Sequence, residues 1–334
     1  MKRILVGAGM AVTVSSALMM EAALAEYPAR NIQGTIQWGA GGSTDVIARG
    51  LTPHVEEILD TTIILTNRPG GSGVIGTNYV LNQRSDGYHV LYGAENPQLF
   101  PLLGLAAFDY SALHPVNLTS VDIVVFVVPA GSPFQSMADL IEHIQTHPGE
   151  VRMGNQGAAS LAATSHALIN SMIDFDVRHV TFAGEGPGIT ALQGSHIDFM
   201  PSSLSSTREY INSGRLRALA VLDAERLEAY PDMPAMTELI PELEPYMPYG
   251  SFKGAYVHKD TPDEIKARLE DAYAQAVDSE AFQDFLANIG ATALNLSGDE
   301  AAAYLQRWQS ITAWAMYEAN SLENSPEQLG IARP

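Results

Sequence analysis

The chain of 334 residues contains no cysteine. A disulfide, a thiolate metal site and a cysteine nucleophile are therefore excluded. So is a lipoprotein anchor, which needs a lipidated cysteine at the new N-terminus. Basic residues are scarce: 18 Lys and Arg face 38 Asp and Glu, for a net charge of −20. Nucleic acid and anionic membrane surfaces are poor partners for such a chain. Beyond Met20 no stretch approaches the ~20 apolar residues that span a bilayer. Catalytic signatures are missing too, with no G-x-S-x-G, no S-x-x-K and no H-E-x-x-H. There is no internal repeat and no low-complexity linker.

The start of the chain is informative. Lys2 and Arg3 precede an apolar run from Ile4 to Met20, and Ala23-Leu24-Ala25 offers an A-x-A cleavage site. Basic start, short apolar middle and small residues at the cut define a secretory signal peptide over residues 1–25. The mature chain is expected to begin at Glu26 and to work, soluble and monomeric, in the periplasm. The 309 residues that remain suffice for two ordinary domains.

Short apolar strands alternate with helical patterns. Strands are expected near residues 34–37, 62–66, 88–92, 123–128, 151–154, 179–181, 197–200 and 216–222. A helix over residues 46–59 carries Ile47, Leu51, Val55 and Ile58 on one face, with a kink expected at Gly50 and Pro53. The alternation predicts an α/β fold with largely parallel sheets. Capping boxes are expected at Thr261 with Glu264 and at Ser297 with Glu300, and residues 231–248 read as a proline-rich loop. Residues 121–129 and 253–258 read as strands crossing between two lobes. Lobe 1 then comprises residues 26–125 and 253–334, and lobe 2 residues 126–252. Clefts at such crossings are favoured ligand sites.

Two glycine loops are the strongest functional signals. Gln37-Trp38-Gly39-Ala40-Gly41-Gly42-Ser43-Thr44-Asp45 follows a strand and opens a helix. Glycine lets the backbone approach a ligand, and a helix start turns free N–H groups toward an anion. Gly154-Asn155-Gln156-Gly157-Ala158-Ala159-Ser160 repeats that context in the second half. The two loops are expected to face each other across the cleft. A third segment, residues 181–188, includes Gly184 and could supply an aromatic wall through Phe182, as Trp38 could from the first loop.

Other patterns weigh less. Gly71-Ser72-Gly73-Val74-Ile75-Gly76 is a literal G-x-G-x-x-G, followed by Glu95 at about the spacing of a dinucleotide fold. It follows Asn67-Arg68-Pro69, which reads as a tight turn, so a glycine turn entering a helix is the stronger reading. His143 and His147 are spaced like metal ligands, but they sit at the solvated end of a helix.

Taken in order, several segments resemble the solute-binding proteins of tripartite tricarboxylate transporters, the TctC or Bug family. They are Tyr27-Pro28-Ala29-Arg30-Asn31-Ile32, Gly41-Gly42-Ser43-Thr44-Asp45-Val46-Ile47-Ala48-Arg49, Asn67-Arg68-Pro69-Gly70 with Gly73 and Gly76, and Asp86-Gly87-Tyr88. His147-Pro148-Gly149, Gly157 with Ser160, residues 214–221 and Pro231-Asp232-Met233-Pro234 continue the set. Trp38 stands where many members have phenylalanine, Gln37 where proline is common, Ala159 where glycine is common and Ala163 where histidine is frequent.

The resemblance implies a type II periplasmic binding-protein fold of two α/β lobes joined by two crossing strands. It implies a small carboxylate held by backbone amides, and delivery to an integral-membrane transporter. Residue by residue it implicates Ala40, Gly41, Gly42, Ser43 and Asp45 from the first loop, and Gln156, Gly157, Ala158 and Ser160 from the second. Neither cofactor nor metal is implied. A periplasmic sensor with a signalling partner is the alternative, and an exported enzyme a weaker one.

Overall fold

A computed structural model describes residues 27–334; the expected signal peptide lies outside the described residues. The strands are β1 (Ile32–Ile36), β2 (Ile63–Asn67), β3 (His89–Ala94), β4 (Leu113–Pro129), β5 (Arg152–Asn155), β6 (Arg178–Thr181), β7 (Met200–Ser203), β8 (Leu216–Val221), β9 (Gly250–His258) and β10 (Ala291–Leu296). The helices are α1 (Ser43–Leu59), α2 (Val74–Leu81), α3 (Met137–Thr146), α4 (Leu161–Asn170), α5 (Glu185–Gln193), α6 (Leu204–Asn212), the single turn α7 (Met236–Leu239), α8 (Asp263–Asp278), α9 (Glu280–Ile289) and α10 (Gly298–Glu318).

The longest strand organises the molecule. Residues 113–123 of β4 pair with β9, while residues 124–129 pair with β7 and β8. One strand thus serves both lobes, and β9 runs back beside it. The first lobe has the order β10-β4-β9-β3-β1-β2. Register shifts in β4 opposite β9 let so long a strand twist. Val124, Phe126 and Val128 enter one core, and Val125 and Val127 the other. Successive side chains of a strand point to opposite faces, so this alternation marks a strand buried on both sides.

The sheets are less parallel than the alternation of elements predicts. β1 is parallel to β2 and β3, and β5 to β6. β9 is antiparallel to β3 and β4, and β7, β8 and β10 are antiparallel to β4. The cause is the crossing itself: a chain that leaves a lobe on one strand and returns on its neighbour must run the opposite way.

Helix α1 runs unbroken from Ser43 to Leu59 despite Pro53, and buries Ile47, Leu51 and Val55 in a further core with Val90 and Leu269. Gly50 is where α9 crosses it. A Cβ there would stand 2.4 Å from the Phe285 ring. Two expected capping boxes do not form. Pro262 takes the N-cap place of α8, leaving the Thr261 hydroxyl buried without a partner. Ser297 caps α10 by position only, with no side-chain bond. The loop at residues 231–248 is more ordered than its prolines suggest, because Met236, Ile240 and Leu243 anchor two short helical turns in the core.

The last helix, α10, bridges the lobes. It lies against α4 and against the short turn Asn96–Leu99. Its Leu305, Trp308 and Ile311 join the cluster that holds Leu168 and Ile169, and the Trp308 indole donates to the Gly250 carbonyl at 3.0 Å.

Candidate functional site

The first glycine loop is fixed by Asp45. This buried carboxylate accepts from the Gly41 amide at 3.0 Å, Arg49 Nε at 2.9 Å and Asn67 Nδ2 at 2.9 Å. Asn67 also donates to the Trp38 carbonyl at 3.0 Å. Gly42 is the N-cap of α1 and brings no side-chain cap. The first amides of α1 thus lack a partner within the helix, and that of Ser43 faces the other lobe.

The second loop is fixed by Ser160, the N-cap of α4. Its Oγ accepts from the Ala163 amide and from the Gln156 amide, the latter at 3.2 Å. Asn155 Oδ1 accepts from the Gly157 amide at 2.9 Å and from Thr181 Oγ1 at 3.0 Å.

Glycines line the seam between the lobes. The Gly39 amide donates to the Ala183 carbonyl at 3.2 Å. A Cβ on Gly184 would lie 2.7 Å from the Gly39 nitrogen, and one on Gly186 only 2.2 Å from the Ala40 carbonyl oxygen. Gly157, at φ +99, abuts Ser72. The first loop therefore meets the third segment rather than the second, whose glycine meets the turn after β2.

Glu185 crosses this seam. One oxygen accepts from the Ser43 amide at 3.0 Å and the other from the Ser203 amide at 2.6 Å. Ser43 begins α1 and Ser203 is the N-cap of α6, so two helix starts from opposite lobes converge on one carboxylate. Fractional positive charge at helix starts favours this arrangement. Ser203 Oγ also donates to Ser43 Oγ at 3.1 Å.

Below lies a buried polar chain. Ser251 Oγ donates to Glu95 and accepts from Lys253 Nζ at 2.6 Å. Lys253 also stands 3.2 Å from Asp122, which accepts from the Ser205 amide. Burial raises the Glu95 carboxyl above its ordinary range, and the neighbouring Glu185 charge adds to this; Lys253 and the Ser251 bond oppose it. Asp122 is raised by the same burial and opposed first by Lys253.

Glu185, Ser203, Glu95 and Ser251 border a cavity of ≈ 20 Å³. That is room for about one water. Of the residues singled out in the sequence, Trp38, Gly42, Ser43 and Gln156 line it, joined by Thr44, Ala94, Glu95, Leu161, Glu185, Ser203 and Ser251. Gln156 is buried, and its Nε2 has no hydrogen-bond partner.

The other anticipated residues stand elsewhere. Ala40 and Gly41 are exposed on the loop. Asp45 and Ser160 hold their own loops together. Phe182 packs on the core of the second lobe, not on the cavity, and Gly184 packs on Gly39. Ala158, with Gly157, lines a separate cavity of ≈ 310 Å³ beside His166 and His179. The Gly71–Gly73 segment forms a 3-10 turn entering α2. Glu95, the acid a dinucleotide fold would use, is instead bonded by Ser251.

Glu185 lies within the third segment, where the surrounding glycines point to backbone contacts and not to a carboxylate. Ser203 and Ser251 sit at strand ends with no motif around them.

Comparison with known proteins agrees with this architecture. The family model described as tripartite tricarboxylate transporter family receptor matches residues 47–313. Protein BugT of Bordetella pertussis is 29% identical over 296 residues, which cover 85% of this chain and 89% of BugT. Among solved structures, the periplasmic binding protein BugD aligns with a TM-score of 0.82 at 22% identity, over 89% of this chain and 99% of BugD. MatC from Rhodopseudomonas palustris with bound malate aligns with a TM-score of 0.79 at 22% identity, over 86% of this chain and 100% of MatC. The shared architecture is that of two-lobed periplasmic binding proteins. The chain belongs to the tripartite tricarboxylate transporter receptor family, the TctC/Bug group.

Proposed function

We propose that the protein is a periplasmic solute-binding protein that captures a small carboxylate between its lobes and delivers it to a tripartite tricarboxylate-type membrane transporter. One observation carries this reading: a buried interlobe cavity joins the start of α1 to an unpartnered donor, Gln156 Nε2. A buried donor without an acceptor costs about 1–3 kcal/mol, a cost that an arriving carboxylate oxygen removes. The malate held by MatC is a ligand of this chemical kind.

A cavity for one water cannot admit such a molecule while the lobes touch. Entry requires the Gly39–Ala183 contact to part, with β4 and β9 bending between the lobes. Closure then traps the ligand, because only the closed form joins it to both loops. Hydrogen bonds to a charged group contribute roughly 1.5–3 kcal/mol each. Three or four of them, less ordering costs, reach the ~8 kcal/mol of micromolar binding. No helix among the described residues is long and apolar enough to cross a membrane.

The test is a thermal-shift screen against a library of small carboxylates. At least one should raise the Tm with a dependence on the logarithm of its concentration. A library that leaves the Tm unmoved throughout contradicts the reading.

A further inference from the structure

Glu185 places a carboxylate of this chain's own where an anionic ligand group would be best held. It is buried, and its two oxygens take amides from both lobes, Ser43 at 3.0 Å and Ser203 at 2.6 Å. The helices behind those amides have 17 and 9 residues. Glu95 lines the same cavity, and Asp122 stands 3.2 Å from Lys253, which donates to the lining Ser251. Against these three acids stands one buried cation, Lys253, which is engaged by Ser251 and Asp122. At the same cavity Gln156 Nε2 is a buried donor with no acceptor.

The two features ask for different things. Gln156 calls for an oxygen acceptor. Glu185 and Glu95 call for a cation, since a further anion beside them would be buried against like charge. A ligand that satisfies both carries an ammonium group and a carboxylate.

We propose that Glu185 is the specificity-determining residue of the cleft, selecting amino-carboxylates over carboxylates that lack an amine. The ammonium lies between Glu185 and Glu95, and the carboxylate reaches Gln156. This inference rests on the carboxylate-binding reading above and narrows it.

The experiment is calorimetry on the mature protein with matched pairs: alanine and lactate, aspartate and malate, 4-aminobutanoate and 4-hydroxybutanoate. In at least one pair the amine-bearing member should bind ten-fold or more tightly than its partner. Glu185→Gln keeps an oxygen for one amide and removes the charge; it should reduce that preference at least ten-fold. If the amine-free member of every pair that binds does so as tightly, or if Glu185→Gln leaves the preference unchanged, the proposal is overturned while carboxylate binding stands. The ranking on the unaltered protein decides even if the variant fails to fold. If no member of any pair binds, this proposal falls, and the carboxylate reading stands or falls on the wider screen.

Discussion

Gly186 of the second lobe lies against Ala40 of the first so closely that a Cβ would come within 2.2 Å of the Ala40 carbonyl oxygen. Backbone on both sides leaves nothing flexible to yield. Gly186→Ala should therefore hold the lobes apart without disturbing either core. Ligand affinity should fall ten-fold or more with the Tm of the free protein little changed. Calorimetry reads the first effect. Small-angle scattering reads the second consequence, a loss of ligand-induced compaction.

Gln156 stands in a state of frustration that suits a binding site. Its buried Nε2 has no partner, which burdens the protein by about 1–3 kcal/mol. Gln156→Leu removes the polar group at similar size. The variant should melt higher and bind its carboxylate at least ten-fold more weakly. A higher Tm with full affinity would show that the amide serves no ligand.

Gly50 is a packing glycine within α1. An added methyl would meet the Phe285 ring at 2.4 Å. Alanine favours a helix by about 1 kcal/mol over glycine. Overpacking typically costs about 1–3 kcal/mol, so the clash should win. Gly50→Ala should lower the Tm, and adding Phe285→Leu should recover most of the loss.

His166 gives a pH dependence. Burial lowers its pKa from the usual 6.5 to about 4, with its Nε2–H donating to the Phe175 carbonyl at 2.8 Å. The unfolded chain therefore binds more protons than the native one between these values. Stability should fall as the pH drops from about 6.5 toward 4, by up to roughly 3 kcal/mol from this group. His179, also lowered by burial, acts in the same direction. His166→Gln should flatten the profile of Tm against pH in that window.

Much of the fold was legible because it depends on local patterns. Ile47, Leu51 and Val55 recur at helical spacing, and all three are buried in α1. The crossing strands were visible as apolar runs, but their antiparallel pairing was not, since strand direction depends on distant partners. The two glycine loops identified the seam, and Trp38, Gly42, Ser43 and Gln156 do line its cavity. Asp45 and Ser160 show the limit of loop reading. A residue that shapes a loop and one that touches a ligand carry the same signature in sequence. Glu185, Ser203 and Ser251 were invisible as a group because residues 185, 203 and 251 meet only after folding.

A crystal structure of the complex with the tightest carboxylate from the screen puts the central idea to the most direct test. The ligand should lie between the lobes, with an oxygen within about 3.2 Å of Gln156 Nε2 or of an amide at the start of α1. A ligand seated instead beside His166 and His179, in the cavity of ≈ 310 Å³, would contradict it.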